Sequence, residues 1–183
     1  DRLIAILCAR GVGKTTLVLQ HIKLYEDVDT TLFVYADDLW FSTHSLVTLA
    51  EIFFTNGGRV LYIDEIHKYK NWSQEIKNIY DQYPDLQVRY TGSSILDLQK
   101  GSHDLSRRVL EFQMHGLSFR EYVALHYGAD IPIHTLEQVL ANKIEFPYTD
   151  YRPVALFKEY LRQGYYPYFK EPGYELRMTK TIN

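Results

Sequence analysis

Apolar and polar positions along the first 130 residues alternate between two periods. Four short runs, Leu3–Leu7, Leu32–Ala36, Val60–Ile63 and Val88–Thr91, are rich in aliphatic, β-branched or aromatic residues and are bounded by turn residues. Near-continuous apolarity over four or five positions predicts strands buried on both faces of a parallel sheet. Between them the period lengthens. Val18, Ile22 and Tyr25 recur at i, i+4, i+7; Leu46, Leu49, Ala50 and Phe53 follow the same rule. Trp72, Ile76, Ile79, Tyr80 and Tyr83 keep one face apolar for three turns. Asn56-Gly57-Gly58 and Pro84-Asp85 stop the second and third helices. Strand–helix–strand repetition with short loops predicts an α/β fold with right-handed crossovers, a parallel sheet flanked by helices. Arg108–Gln113 is the candidate fifth strand.

The pattern loosens beyond Gly92. Ser118-Phe119-Arg120-Glu121 has the form of a capping box and predicts a helix through Tyr127. Thr135-Leu136-Glu137-Gln138 repeats the device. Pro153 in a first turn, then Val154, Phe157 and Leu161 with Gly164 behind them, outlines another helix. The expected organisation is a core over 1–130 and a small helical C-terminal annex over 131–183. Lys143–Arg152 is expected to be a connector, and Gly164–Asn183 a loop or the edge of a further domain.

Composition narrows the class. The 183 residues are 46% apolar and 23% charged, a globular balance long enough to need no disulfide or metal staple. One cysteine, Cys8, excludes an internal disulfide framework and fits a reducing compartment, so a cytoplasmic location is expected. Twenty basic residues against 23 acidic ones give a net charge of −3, which offers no global field to nucleic acid or an acidic membrane. The longest apolar run, Leu3–Ala9, is too short to span a bilayer. A chain opening at Asp1, without an initiator Met or cationic leader, is expected to be the inside of a longer protein.

Candidate chemistry begins directly after the first strand. Cys8-Ala9-Arg10-Gly11-Val12-Gly13-Lys14-Thr15-Thr16 joins a buried strand to an amphipathic helix, the context a phosphate-binding loop requires. Gly11 and Gly13 let the backbone turn its N–H groups inward, and the helix aims its positive end at the same point. The expected phosphate cradle is Arg10, Gly11, Val12, Gly13, Lys14, Thr15 and Thr16. Lys14 supplies a mobile charge to the β- and γ-oxygens, and the Thr15 hydroxyl is placed for Mg²⁺. Cys8 stands where the usual G-x-x-x-x-G-K-S/T pattern has its first glycine. Two descriptions of Cys8 stay open: a small residue at a strand end, or a thiol acidified by the phosphate nest.

The third strand ends in Asp64-Glu65. Two adjacent carboxylates at the end of an apolar strand are costly unless a cation offsets them. Asp64 is expected to hold Mg²⁺, largely through its water shell, and Glu65 to polarise an attacking water. An acidic helix N-terminus is the plainer alternative. A strand and helix, Leu32 to Phe54, separate this pair from the phosphate loop.

Other polar groups have weaker claims. Thr91-Gly92-Ser93-Ser94 ends the fourth strand, and Ser93 or Ser94 is a candidate to meet the water or a γ-oxygen; turn capping accounts for the same residues. Arg107-Arg108 is either a solvated strand start or, at Arg108, a catalytic cation for a γ-phosphate in this or a neighbouring subunit. Asp37 and Asp38 are expected at turns rather than at the metal. The seven histidines and one cysteine contain no zinc-ligand spacing.

Together these residues resemble a family of prokaryotic AAA-type P-loop ATPases. The likeness rests on Ala9–Thr16, on Tyr62-Ile63-Asp64-Glu65-Ile66-His67 with Trp72 after it, and on Thr91-Gly92-Ser93-Ser94. Leu117-Ser118-Phe119-Arg120-Glu121-Tyr122 and Leu161-Arg162-Gln163-Gly164-Tyr165-Tyr166-Pro167 extend it over nearly the whole chain. The resemblance implies a five-stranded AAA-type sheet, ATP rather than GTP, Mg²⁺ as cofactor, and a C-terminal domain of undefined role beyond. Nucleotide contact is carried onto Gly13, Lys14, Thr15, Asp64, Glu65 and Ser93. An ATPase that drives conformational change in an attached domain, a protein partner or a homo-oligomer is expected; a slow ATP-held switch is the alternative. A nucleic-acid motor would need stacking aromatics among basic residues, and acidic residues interrupt Tyr165, Tyr166, Tyr168 and Tyr174 with Arg162, Lys170, Arg177 and Lys180.

Overall fold

The computed structural model describes residues 1–93, 105, 107–128, 132–144 and 152–182. It has two compact units, Asp1–Met114 and His115–Asn183.

The first unit contains β1 (Leu3–Leu7), α1 (Lys14–Tyr25), β2 (Thr31–Tyr35), α2 (Leu46–Thr55), β3 (Val60–Asp64), α3 (Trp72–Gln82), β4 (Gln87–Gly92) and β5 (Leu110–Gln113). The strands form one sheet in the order β2-β3-β4-β1-β5, and every neighbouring pair is parallel. The expected α/β fold with a five-stranded parallel sheet is what forms. Strand alternation sorts the core onto two faces. Leu3, Ala5, Leu61, Ile63, Val88 and Tyr90 pack with Leu46 and Ala50 of α2 and with Trp72, Ile76 and Ile79 of α3. On the other face Val60 and Tyr62 meet Val18 of α1, with Ile6, Ile22 and Phe33 around them. Helices therefore cover both faces, which explains why β3 is buried at all five positions and reads as an unbroken apolar run. The fifth strand is shorter than expected, opening at Leu110 rather than Arg108.

The second unit is helical: α4 (Phe119–Tyr127), α5 (Leu136–Leu140), α6 (Pro153–Gln163), a 3₁₀ turn (Pro167–Lys170) and α7 (Tyr174–Ile182). Both expected capping boxes form, Ser118 with Glu121 and Thr135 with Gln138. The unit begins ahead of the expected division at 130. Tyr122 and Val123 of α4 share a core with Leu156, Phe169 and Tyr174, so packing groups α4 with the helices that follow it. The stretch from Gly164, expected as a loop, contains the 3₁₀ turn and α7. Its aromatic residues are core residues: Tyr174 is buried, and Tyr166 and Tyr168 pack against the same cluster. Lys170 donates to the carbonyls of Leu125 and His126 at the end of α4, at 2.6 and 3.2 Å, and Arg177 pairs with Glu171. These side chains help build the annex. Part of the expected connector, 145–151, lies outside the described residues. Among the described residues no helix is long and apolar enough to cross a membrane.

Candidate functional site

In a parallel sheet the loops at the C-terminal strand ends share one edge, and here β1, β3 and β4 converge there. The Cys8 amide donates to the Gly92 carbonyl at 3.2 Å, tying the end of β1 to that of β4. The Ala36 amide donates to the Asp64 carbonyl at 2.9 Å, tying β2 to β3.

The loop after β1 adopts the conformation its glycines permit. Gly11 has φ 84° and Gly13 φ 101°, both left-handed, where a Cβ would strain the chain. Gly13 caps α1, and the Leu17 amide bonds back to its carbonyl at 3.0 Å. The first-turn amides ahead of Leu17 have no partner within the helix. Val12 anchors the loop in the core, while Arg10, Gly11 and Thr16 are exposed. Lys14 is only 5% exposed, and its ammonium reaches the Ala9 carbonyl at 3.4 Å and the Cys8 thiol. A buried cation with only neutral groups at those contacts suits an anion.

Asp64 lies across β4 from this loop and is 1% exposed. The Thr15 hydroxyl donates to its Oδ2 at 2.6 Å, and the Thr91 hydroxyl donates to its Oδ1. Thr91 also accepts from the Glu65 amide at 3.0 Å. One hydroxyl at the end of β4 thus fixes both acidic residues. A hydroxyl and a carboxylate aimed at one point is an oxygen donor set that fits Mg²⁺, which uses few protein ligands and keeps water and phosphate oxygens. Among the described residues no group of three or more His, Cys, Asp or Glu side chains could enclose a metal.

Glu65 breaks the strand. Its backbone is left-handed at φ 56°, ψ 44°, which costs a non-glycine residue about 1–2 kcal/mol. The turn carries the side chain back toward the strand ends. Its Oε1 accepts from the Ser93 hydroxyl at 3.3 Å, and its Oε2 lies 3.1 Å from Lys68 Nζ. Burial alone would disfavour the ionised carboxyl, but the Lys68 hydrogen bond and charge, with Lys14 and His67 beyond, hold it below its ordinary range. Lys68 also bonds Asp37 Oδ2 at 2.7 Å. That hydrogen bond outweighs a slight desolvation and depresses the Asp37 carboxyl.

Lys14, Thr15, Asp64, Glu65 and Ser93 are therefore brought together; Ser94 lies outside the described residues. Arg108 is not brought to them. Its guanidinium pairs with Asp81 at 3.2 Å beside the Tyr80 ring, where α3 ends and β4 begins. That is the N-terminal edge of the sheet, opposite the loop. Arg107 is exposed. Asp38 caps the turn Leu39–Ser42 by accepting from the Trp40 amide at 2.8 Å, the expected turn duty. The Cys8 thiol is not acidified. Burial pushes it up against the pull of Lys14, and it donates to the Ala9 carbonyl at 3.1 Å, so it is the small residue at a strand end. Sequence analysis passed over Thr91 and Lys68. A lone hydroxyl closing a buried strand marks Thr91, and a spacing of three from Glu65 marks Lys68. The apolar hollow of about 430 Å³ lined by Ile4, Leu17, His21, Phe112 and Met114 contains none of these residues.

Known proteins are similar to this chain in sequence or in fold. The uncharacterized protein MJ1637 of Methanocaldococcus jannaschii is 31% identical over 185 residues, which cover 92% of this chain and 39% of MJ1637. The chain thus spans about two fifths of that relative's length. The Walker-type ATPase PABY2304 of Pyrococcus abyssi superimposes with a TM-score of 0.51 at 12% identity, covering 99% of this chain and 66% of that one, a likeness of fold. A family profile described as an AAA domain matches residues 1–123, which take in the phosphate loop, the acidic pair and the strand between them. With a match over two thirds of its length, this chain belongs to the prokaryotic AAA-type P-loop ATPases.

Proposed function

We propose that the chain binds Mg²⁺-ATP and hydrolyses it to ADP and phosphate, coupling the cycle to conformational change in an attached domain or partner. The observation that carries this reading is the 2.6 Å contact between Thr15 and Asp64, which joins the phosphate loop to the acidic strand across β4 and leaves Glu65 beside the join. Gly11, Gly13 and the first turn of α1 would receive the phosphates, flanked by Arg10, Val12 and Thr16, with Lys14 neutralising the β- and γ-oxygens. Thr15 and Asp64 would hold Mg²⁺, which when bound withdraws charge from those oxygens. Glu65 would take a proton from a water as its oxygen bonds to the γ-phosphorus. The bond from that phosphorus to the β,γ-bridging oxygen breaks, and ADP leaves with the electron pair. Ser93 is placed to orient the same water or a γ-oxygen. Arg108 could reach a phosphate only across a boundary between subunits.

A slow ATP-held switch is the second reading, favoured by one observation: both oxygens of Glu65 are already engaged. Phosphate release from Mg²⁺-ATP by wild type, Lys14→Ala and Glu65→Gln separates the two. The expected result is lost nucleotide binding in Lys14→Ala, and retained binding without turnover in Glu65→Gln. Wild-type release equal to that of Glu65→Gln, with tight binding in both, would leave the switch. Unchanged ATP affinity in Lys14→Ala would remove the phosphate-loop assignment.

A further inference from the structure

Lys68 shares one ammonium between two carboxylates, Glu65 Oε2 at 3.1 Å and Asp37 Oδ2 at 2.7 Å. The two anions come from different strands. Asp37 follows β2, Glu65 follows β3, and the Ala36–Asp64 backbone bond holds those strand ends in fixed register. The remaining oxygen of Glu65 is taken by Ser93, whose hydroxyl also lies 3.3 Å from His67 Nε2. Glu65 is thus held from both sides, and the Lys68 contact occupies an oxygen that an incoming water would use. The hold is breakable. Lys68 is 40% exposed and Glu65 23%, so water competes for the pair and weakens it.

We infer that Lys68 is a positioning residue that restrains Glu65, so that turnover requires its ammonium to withdraw onto Asp37 and release the base. This rests on the role proposed for Glu65 above. Asp37 is then the second seat of the ammonium, keeping it near while Glu65 is free.

The test is steady-state phosphate release at saturating Mg²⁺-ATP for wild type, Lys68→Met, Lys68→Gln, Lys68→Arg and the double variant Glu65→Gln/Lys68→Met. Removing the ammonium should raise kcat by about threefold to tenfold in Lys68→Met and Lys68→Gln, as expected when an oxygen of the base is freed for the incoming water. KM should stay within about twofold, because the phosphate cradle is untouched. Arginine should return kcat toward wild type, and the double variant should show no turnover, since the gain passes through Glu65. A merely structural ion pair would lower thermal stability without raising kcat. Unchanged or lower kcat in both neutral variants overturns the restraint, as does a gain that survives in the double variant. Wild-type release equal to Glu65→Gln would remove the base assignment and the restraint with it. Wild-type release above Glu65→Gln, with no gain in the neutral variants, removes the restraint alone.

Discussion

The hydroxyl of Thr91 touches both members of the acidic pair, and Thr91→Val removes it while keeping the side chain's shape. In the native structure that hydroxyl, on a residue 2% exposed, donates to buried Asp64 Oδ1 and accepts from the half-buried Glu65 amide at 3.0 Å. The variant forfeits a hydrogen bond to a charged group, about 1.5–3 kcal/mol, and leaves that amide without its acceptor, about 1 kcal/mol. Partial relaxation and the added methyl offset some of this, so the expected loss is about 3 kcal/mol. With a urea slope of about 2 kcal/mol per molar for a unit of this size, the midpoint should fall by about 1.5 M. Both tryptophans, Trp40 and Trp72, lie in the first unit, so their fluorescence reports its unfolding separately from the helical annex. Thr91→Ser keeps the hydroxyl and loses only a methyl, and should cost about 1 kcal/mol. A midpoint shift under about 0.5 M in Thr91→Val, or one no larger than that of Thr91→Ser, would show that the hydroxyl does not dominate and would refute the reasoning.

Glu26 offers a pH test. It lies beneath Tyr62 and Arg89; burial opposes its ionisation, but the Tyr62 hydroxyl at 2.8 Å and the Arg89 charge outweigh burial and lower its pKa below the ordinary 4.5. A carboxyl depressed on folding stabilises fully above the unfolded value and loses that contribution as pH falls through the folded one. Glu26→Gln should therefore cost about 1–2 kcal/mol at pH 7, with the gap to wild type closing in acid below the ordinary carboxylate range. Urea midpoints at pH 7 and pH 3 check this, and a gap that persists at the lower pH counts against it. Arg108→Ala should change stability by less than about 1 kcal/mol, because its pair with Asp81 is half-exposed, and should lower turnover less than twofold in dilute protein. A tenfold loss that depends on protein concentration would instead place Arg108 in a neighbour's site.

What was legible in the sequence was local. β1 and α4 fall where their apolar run and capping box put them, because burial on two faces and a Ser–Glu cap are written in adjacent residues. The phosphate loop is legible for the same reason: Gly11, Gly13, Lys14 and Thr15 act within one turn. The rest depends on contacts between distant residues. Thr91 gains its role only because β4 enters between β1 and β3, a matter of strand order that no short window encodes. Lys68 meets Asp37 across 31 positions, and Arg108 meets Asp81 across 27. The tyrosines after Gly164 look like loop residues by composition, and only packing against Tyr122 and Phe169 makes them core.

The place of β4 also sets the order in which the molecule becomes competent. β1 and β3 carry the two halves of the candidate site and do not pair with each other; each pairs with β4. A growing chain can form α1, α2 and α3 and still present the two halves apart, until residues 87–92 have emerged and inserted. Nucleotide that needs both halves would then bind only chains whose central strand is in place. By mass action it would draw its stabilisation onto that strand and slow the exchange of the β4 amides more than those of the edge strands. Ligand would serve the young protein as a check that its middle has closed.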